Sequence, residues 1–164
     1  MDPQPTGRVE RRGTRCDIVL TRNLHVPVGE VWSTLTESER TAAWIGPWTG
    51  DPASGRVALT MTAEEAGPPA DVEVLECAPP TRLRLATAAG DSTWVVEFTL
   101  AEQDGATVVT FVHGDVDPAA VESVGPGWEF YLDRLAAVVA GGDPAAVDFD
   151  RDYHPAMAGY YRQE

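Results

Sequence analysis

Five short segments, residues 56–62, 71–77, 82–87, 93–100 and 107–113, constrain the fold of this chain more than any other feature. Gly67-Pro68-Pro69, Pro79-Pro80, Gly90-Asp91 and Asp104-Gly105 separate them, and such pairs end strands rather than continue them. Connections this short join neighbours in antiparallel pairs, so the middle of the chain reads as a meander. Trp94, Val96, Phe98 and Leu100 fall on one face of their strand, opposite Val95, Glu97 and Thr99, while Val109, Phe111 and His113 share a face of the last. One side of the sheet is therefore expected to be covered.

The flanks supply the cover. Residues 15–26 read as the first strand, ended by Pro27, and Val28, Val31, Trp32 and Leu35 then recur at helical spacing. Ser38 suits the cap of a second short helix, residues 39–44, which stops in the run Ile45-Gly46-Pro47-Trp48-Thr49-Gly50. Over residues 126–140, Trp128, Tyr131, Leu132, Leu135, Val138 and Val139 form a broad apolar stripe, with Pro126 in the first turn and Gly141-Gly142 as the stop. Asp117-Pro118 suits a further short turn ahead of it. Residues 1–14, with Pro3, Pro5 and Gly7 among Arg8, Arg11 and Arg12, read as a flexible tail. Residues 143–164 hold Phe149, Tyr153, Met157, Tyr160 and Tyr161, too aromatic for a free end, and are expected to pack back on a domain spanning 15–142.

At 164 residues the chain suits one core. Its 12 Lys and Arg stand against 26 Asp and Glu, a net charge of -14 that repels polyanions and excludes nucleic acid as an expected partner. No apolar run reaches the length of a membrane span, and a cytoplasmic protein is expected. Cys16 and Cys77 lack ligand or redox spacing and read as ordinary buried thiols; no metal or cofactor is expected, since His25, His113 and His154 lie far apart.

A strand, two small helices, a meander and a long C-terminal helix is the order of the helix-grip fold, and here the chain resembles the START and polyketide-cyclase superfamily, which includes the birch-pollen allergen. Within it the chain is most similar to the bacterial branch related to the activator of the heat-shock-protein ATPase. The likeness is carried by Val26-Pro27-Val28-Gly29-Glu30-Val31-Trp32, Trp44-Ile45-Gly46, Val74-Leu75-Glu76-Cys77-Ala78-Pro79-Pro80, Thr107-Val108-Val109-Thr110-Phe111-Val112-His113, Gly127-Trp128 and Leu132-Asp133-Arg134-Leu135. The resemblance implies an α+β fold in which a curved antiparallel sheet of about six strands wraps the long helix around an internal cavity. Two departures stand out: only Ser54-Gly55 leads into the second strand, and residues 143–164 are additional.

In that fold Trp32, Trp44, Trp48, Trp94 and Trp128 fall on elements that line the interior or its mouth. Core filling is the preferred reading for Trp32 and Trp94, while Trp44, Trp48 and Trp128 suit core and cavity wall equally. The expected ligand-binding set is Trp44, Trp48, Trp94, His113, Trp128 and Tyr131, with a hydrophobic or aromatic small molecule as partner. No catalytic motif occurs, so a binding protein is the first reading. A cyclase-, aromatase- or hydrolase-type enzyme using His113 or Tyr131 for proton transfer is the second, and a chaperone-associated module the third. A monomer and a homodimer remain equally open.

Overall fold

The structure of the chain, a computed structural model, describes residues 5–61, 69–89 and 92–161. Thr62, the Gly67-Pro68 half of one expected turn, the Gly90-Asp91 turn, the first four residues of the expected tail and the last three of the C-terminal segment lie outside the described residues.

One antiparallel sheet contains every strand among the described residues: β1 (Arg8–Arg12), β2 (Arg15–Leu24), β3 (Trp48–Thr49), β4 (Arg56–Leu59), β5 (Ala70–Ala78), β6 (Arg82–Ala89), β7 (Ser92–Gln103) and β8 (Ala106–Val116), in the order β1-β2-β8-β7-β6-β5-β4-β3. Helices α1 (Val28–Thr36) and α2 (Ser38–Trp44) follow β2, and the long α3 (Val121–Val139) packs against the sheet. Short helices α4 (Phe149–Asp152) and α5 (Ala158–Tyr161) close the chain. This is the α+β helix-grip fold, with eight strands where about six were expected.

The register explains the core. Leu20, Phe111, Phe98 and Leu83 lie opposite one another across β2, β8, β7 and β6, and Ile18, His113, Val96 and Leu85 form the next row. Each residue points to the same face as its partner, so four strands present continuous apolar ladders to α3. A bulge between Val74 and Glu76 shifts β5 by one residue; it leaves Leu75 on the outer face and returns Cys77 to the inner one.

Four expectations need correction. Residues 8–12 are not a tail: they form edge strand β1, joined to β2 by the two-residue turn Gly13-Thr14, where Gly13 has φ +63°. Its arginines are partnered, Arg8 with Glu10 and Arg12 with Asp17, so the basic cluster is a neutralised edge rather than a binding arm. The long helix starts at Val121, not Pro126. Asp117 caps the three-residue turn 118–120 by accepting from Ala119 N, that turn runs directly into α3, and Pro126 sits inside it. Ser38 makes no cap; its Oγ accepts from Trp48 N at 2.9 Å and donates to Trp48 O at 2.7 Å, pinning β3 to the start of α2. Cys77 is exposed, while Cys16 is buried as expected.

Both chain ends converge on α3. Glu129, fully buried, accepts from Thr6 N (2.6 Å), Gly7 N (3.3 Å), Thr6 Oγ1 (2.8 Å), Tyr161 Oη (2.6 Å) and Arg22 Nη2 (2.9 Å). One turn on, Asp133 accepts from Arg22 Nε (3.0 Å) and Tyr153 Oη (2.6 Å). Burial alone would raise Glu129, but hydrogen bonds from Tyr161, Thr6 and Arg22 outweigh it and hold its carboxyl below the ordinary value. Burial and a carboxylate acceptor push both tyrosine hydroxyls up. Gly125 makes the approach possible, since a Cβ there would stand 2.5 Å from the Tyr161 ring.

Candidate functional site

The inner face of β4–β7, together with α1, α2 and α3, encloses a cavity of about 1170 Å³. Its floor is aliphatic: Leu59, Val72, Val74, Leu83, Leu85 and Val96. Its sides are aromatic, with Trp32, Trp44, Trp48, Trp94, Trp128 and Tyr131 all in the wall. Trp32, expected as core filling, and Trp94, read as core filling by preference yet kept in the expected ligand-binding set, both line the cavity.

Three of these indoles are oriented by their own N–H groups. Trp44 Nε1 donates to Thr34 O at 2.8 Å, Trp48 Nε1 to Thr36 O at 3.0 Å, and Trp128 Nε1 to His113 Nδ1 at 3.1 Å. Each bond satisfies the polar edge against the protein, so the wall gains ring surface without an unpaired donor. Thr34 and Thr36 sit on α1, where their carbonyls lie near its C-terminal end and have lost helical partners, which is why α1 can accept both indoles.

His113 does not reach the cavity. It faces inward as expected, yet it is 1% exposed and absent from the lining; the rings that contact it, Trp94 at 4.7 Å and Trp128 at 6.2 Å, are the wall. Desolvation pushes its pKa down to about 4, against a smaller opposing effect of the Asp17 charge. The ring is therefore neutral near neutral pH, with Nδ1 free of a proton and able to accept from Trp128.

Titratable groups in the wall are few. Tyr131 and the Cys77 thiol are two, and Asp150, exposed on α4, stands at the mouth beside Phe149. Neither Phe149 nor Asp150 was singled out from sequence as part of a site, and only the aromatic content of residues 143–164 hinted at packing there. Phe149 meets Phe130 edge-on at 5.3 Å and stacks on His154 at 6.2 Å. Arg134 ties the mouth together: Nε donates to Trp44 O, Nη2 to Ala43 O and Nη1 to Pro144 O, with the guanidinium 5.5 Å from the Phe130 centroid. Among the described residues, no group of three or more His, Cys, Asp or Glu side chains is placed to hold a metal ion, and no helix is long and apolar enough to cross a membrane.

A curved sheet closed over a long helix, with an aromatic-walled cavity between them, defines a START-like helix-grip domain. Residues 25–140, more than half of the chain, match the family described as activator of Hsp90 ATPase homolog 1-like protein, and the chain belongs to that family. Among solved structures, CalU16 from Micromonospora echinospora is 26% identical, with a TM-score of 0.71 over 96% of each chain. EF2215 from Enterococcus faecalis, titled a conserved protein of unknown function, is 17% identical with a TM-score of 0.72 over 94% of this chain and 87% of that one. DynU16, from the dynemicin biosynthetic locus, is 22% identical with a TM-score of 0.62 over 79% of this chain and 49% of its own. The last two show the fold alone. No curated protein matches the chain. The likeness to CalU16 covers 96% of this chain and so extends beyond residues 25–140.

Proposed function

We propose that this chain binds an apolar or aromatic small molecule inside the cavity, with Trp44, Trp48, Trp94, Trp128 and Tyr131 as the contacting wall. The observation that carries this reading is a cavity of about 1170 Å³ whose wall is largely ring and aliphatic surface, with the indole donors of Trp44, Trp48 and Trp128 turned back onto the protein. That volume lies just above the range of about 300–1,000 Å³ usual for small-molecule sites, and leaves room for more than one small aromatic ring. His113 acts as a positioning residue that holds Trp128 from behind.

A cyclase-, aromatase- or hydrolase-type reaction in the same cavity would need a proton-transfer group at the wall. Of the two candidates, His113 lies outside the lining and is engaged with Trp128, which favours binding over turnover. Mass spectrometry of the purified protein under native and then denaturing conditions tests the reading. A small-molecule mass lost on denaturation, or a rise in melting temperature with an aromatic ligand, is the expected result. A bare chain that also fails to shift in melting temperature across an aromatic and lipid panel overturns it.

A further inference from the structure

We infer that the ligand carries a protonated amine on its aromatic body and that Asp150 at the cavity mouth selects it. This rests on the binding reading above and adds the charge of the ligand. Among the described residues Asp150 is the one charged residue of the lining, and no arginine or histidine contributes to the wall. Residue 150 is exposed, and no arginine is bonded to its carboxylate among the described residues; the neighbouring Arg151 bonds Asp152 through Nε and Nη2.

The element that carries Asp150 is fixed. Asp148 caps α4 by accepting from Arg151 N at 3.1 Å, Phe149 is seated edge-on against Phe130, and Tyr153 donates to Asp133 on α3 at 2.6 Å. An aspartate on a fixed element thus belongs to the same lining as the indole and phenyl rings. Ring faces attract cations through their quadrupole, so wall and mouth favour the same sign of charge. The net charge of -14 draws cations toward the molecule and repels anions. A carboxylate-bearing ligand such as a fatty acid would meet Asp150 with no cation of the described lining to offset it, since Arg134 at the mouth is outside the lining and bonded to the Trp44, Ala43 and Pro144 carbonyls.

Calorimetric titration at low salt with three ligands sharing one ring system, aminomethylanthracene, hydroxymethylanthracene and anthracenecarboxylate, tests the inference. The cation binds about fivefold tighter than the neutral alcohol, as the upper end for an exposed ion pair allows, and the anion binds weakest. Asp150→Asn removes that preference and leaves the affinity for the alcohol within about twofold. Glu39→Gln, which deletes an exposed carboxylate of α2 outside the lining, keeps the preference and so separates Asp150 from the overall field. Equal binding of alcohol and amine by the unaltered protein, or a preference that survives in Asp150→Asn, overturns the inference while leaving the binding reading in place. Failure of all three to bind overturns both.

Discussion

Trp128 donates its indole N–H to Nδ1 of His113 at 3.1 Å, so a helix residue of the cavity wall is held by a histidine of the sheet behind it. Only neutral His113 with an unprotonated Nδ1 can accept that bond. The position of one wall ring is therefore linked to the protonation state of a group that never touches the cavity.

The link has a pH signature. The folded-state pKa of His113 is lowered from 6.5 to about 4, so the unfolded chain takes up the proton first. The stabilisation is complete above pH 6.5 and is lost as pH falls from 6.5 toward 4, up to about 3 kcal/mol in all. Glu129 and Asp17, whose pKa values are lowered, lose stability in the same direction, so the histidine must be isolated. Urea unfolding of His113→Leu should show a shallower fall over this window than the unaltered protein. Identical slopes would remove the role assigned to His113.

The buried carboxylate of α3 should dominate the attachment of the chain ends. Tyr161→Phe deletes one hydrogen bond to a charged acceptor and is expected to cost about 2 kcal/mol. Glu129→Gln leaves Arg22, Thr6, Gly7 and Tyr161 without their shared anion and is expected to cost more, about 3 kcal/mol. Urea unfolding midpoints rank the two. A Glu129→Gln variant within 0.5 kcal/mol of the parent, the range of an ordinary surface change, contradicts the account.

How much of this was legible in the sequence varies by element. The meander was, because Trp94, Val96, Phe98 and Leu100 alternate strictly, and Val96, Phe98 and Leu100 sit in a register opposite Leu85, Leu83 and Val109. Strand β1 was not: Arg8, Arg11 and Arg12 look like solvated charge, and only the Gly13-Thr14 turn and the acidic partners make a strand of them. Glu129 gave no signal either, since its partners Arg22, Thr6 and Tyr161 lie 107, 123 and 32 positions away. Within the site the resemblance to the helix-grip fold put the tryptophans at the interior or its mouth without separating core from cavity wall, whereas His113 was assigned the right face and the wrong depth. Periodicity reports which way a side chain points, not whether two larger rings stand in front of it.

Filling the cavity separates a ligand site from a packed core. Val74 lines the floor on β5, and Val74→Phe adds a ring where the space is open. The variant should lose affinity for an aromatic ligand by about tenfold or more with a stability change under about 1 kcal/mol. A destabilisation of about 1–3 kcal/mol with unaltered affinity is the mark of overpacking, and contradicts the cavity.

The two hydrogen bonds between Ser38 and the Trp48 backbone set where β3 begins. Ser38→Ala should cost about 1 kcal/mol and change the near-ultraviolet circular dichroism as Trp48 moves. Retention of both the spectrum and the melting temperature would show that β4 and the Trp48 indole bond to Thr36 hold β3 without Ser38.

The central claim is that one aromatic molecule occupies the space between the sheet and α3, and titration of the purified protein with hydroxymethylanthracene, followed by native mass spectrometry, tests it most directly. The account predicts a saturable one-to-one complex that is weakened about tenfold or more in Val74→Phe. An unaltered protein that stays ligand-free at saturating concentration, or a complex of the same strength in Val74→Phe, contradicts it.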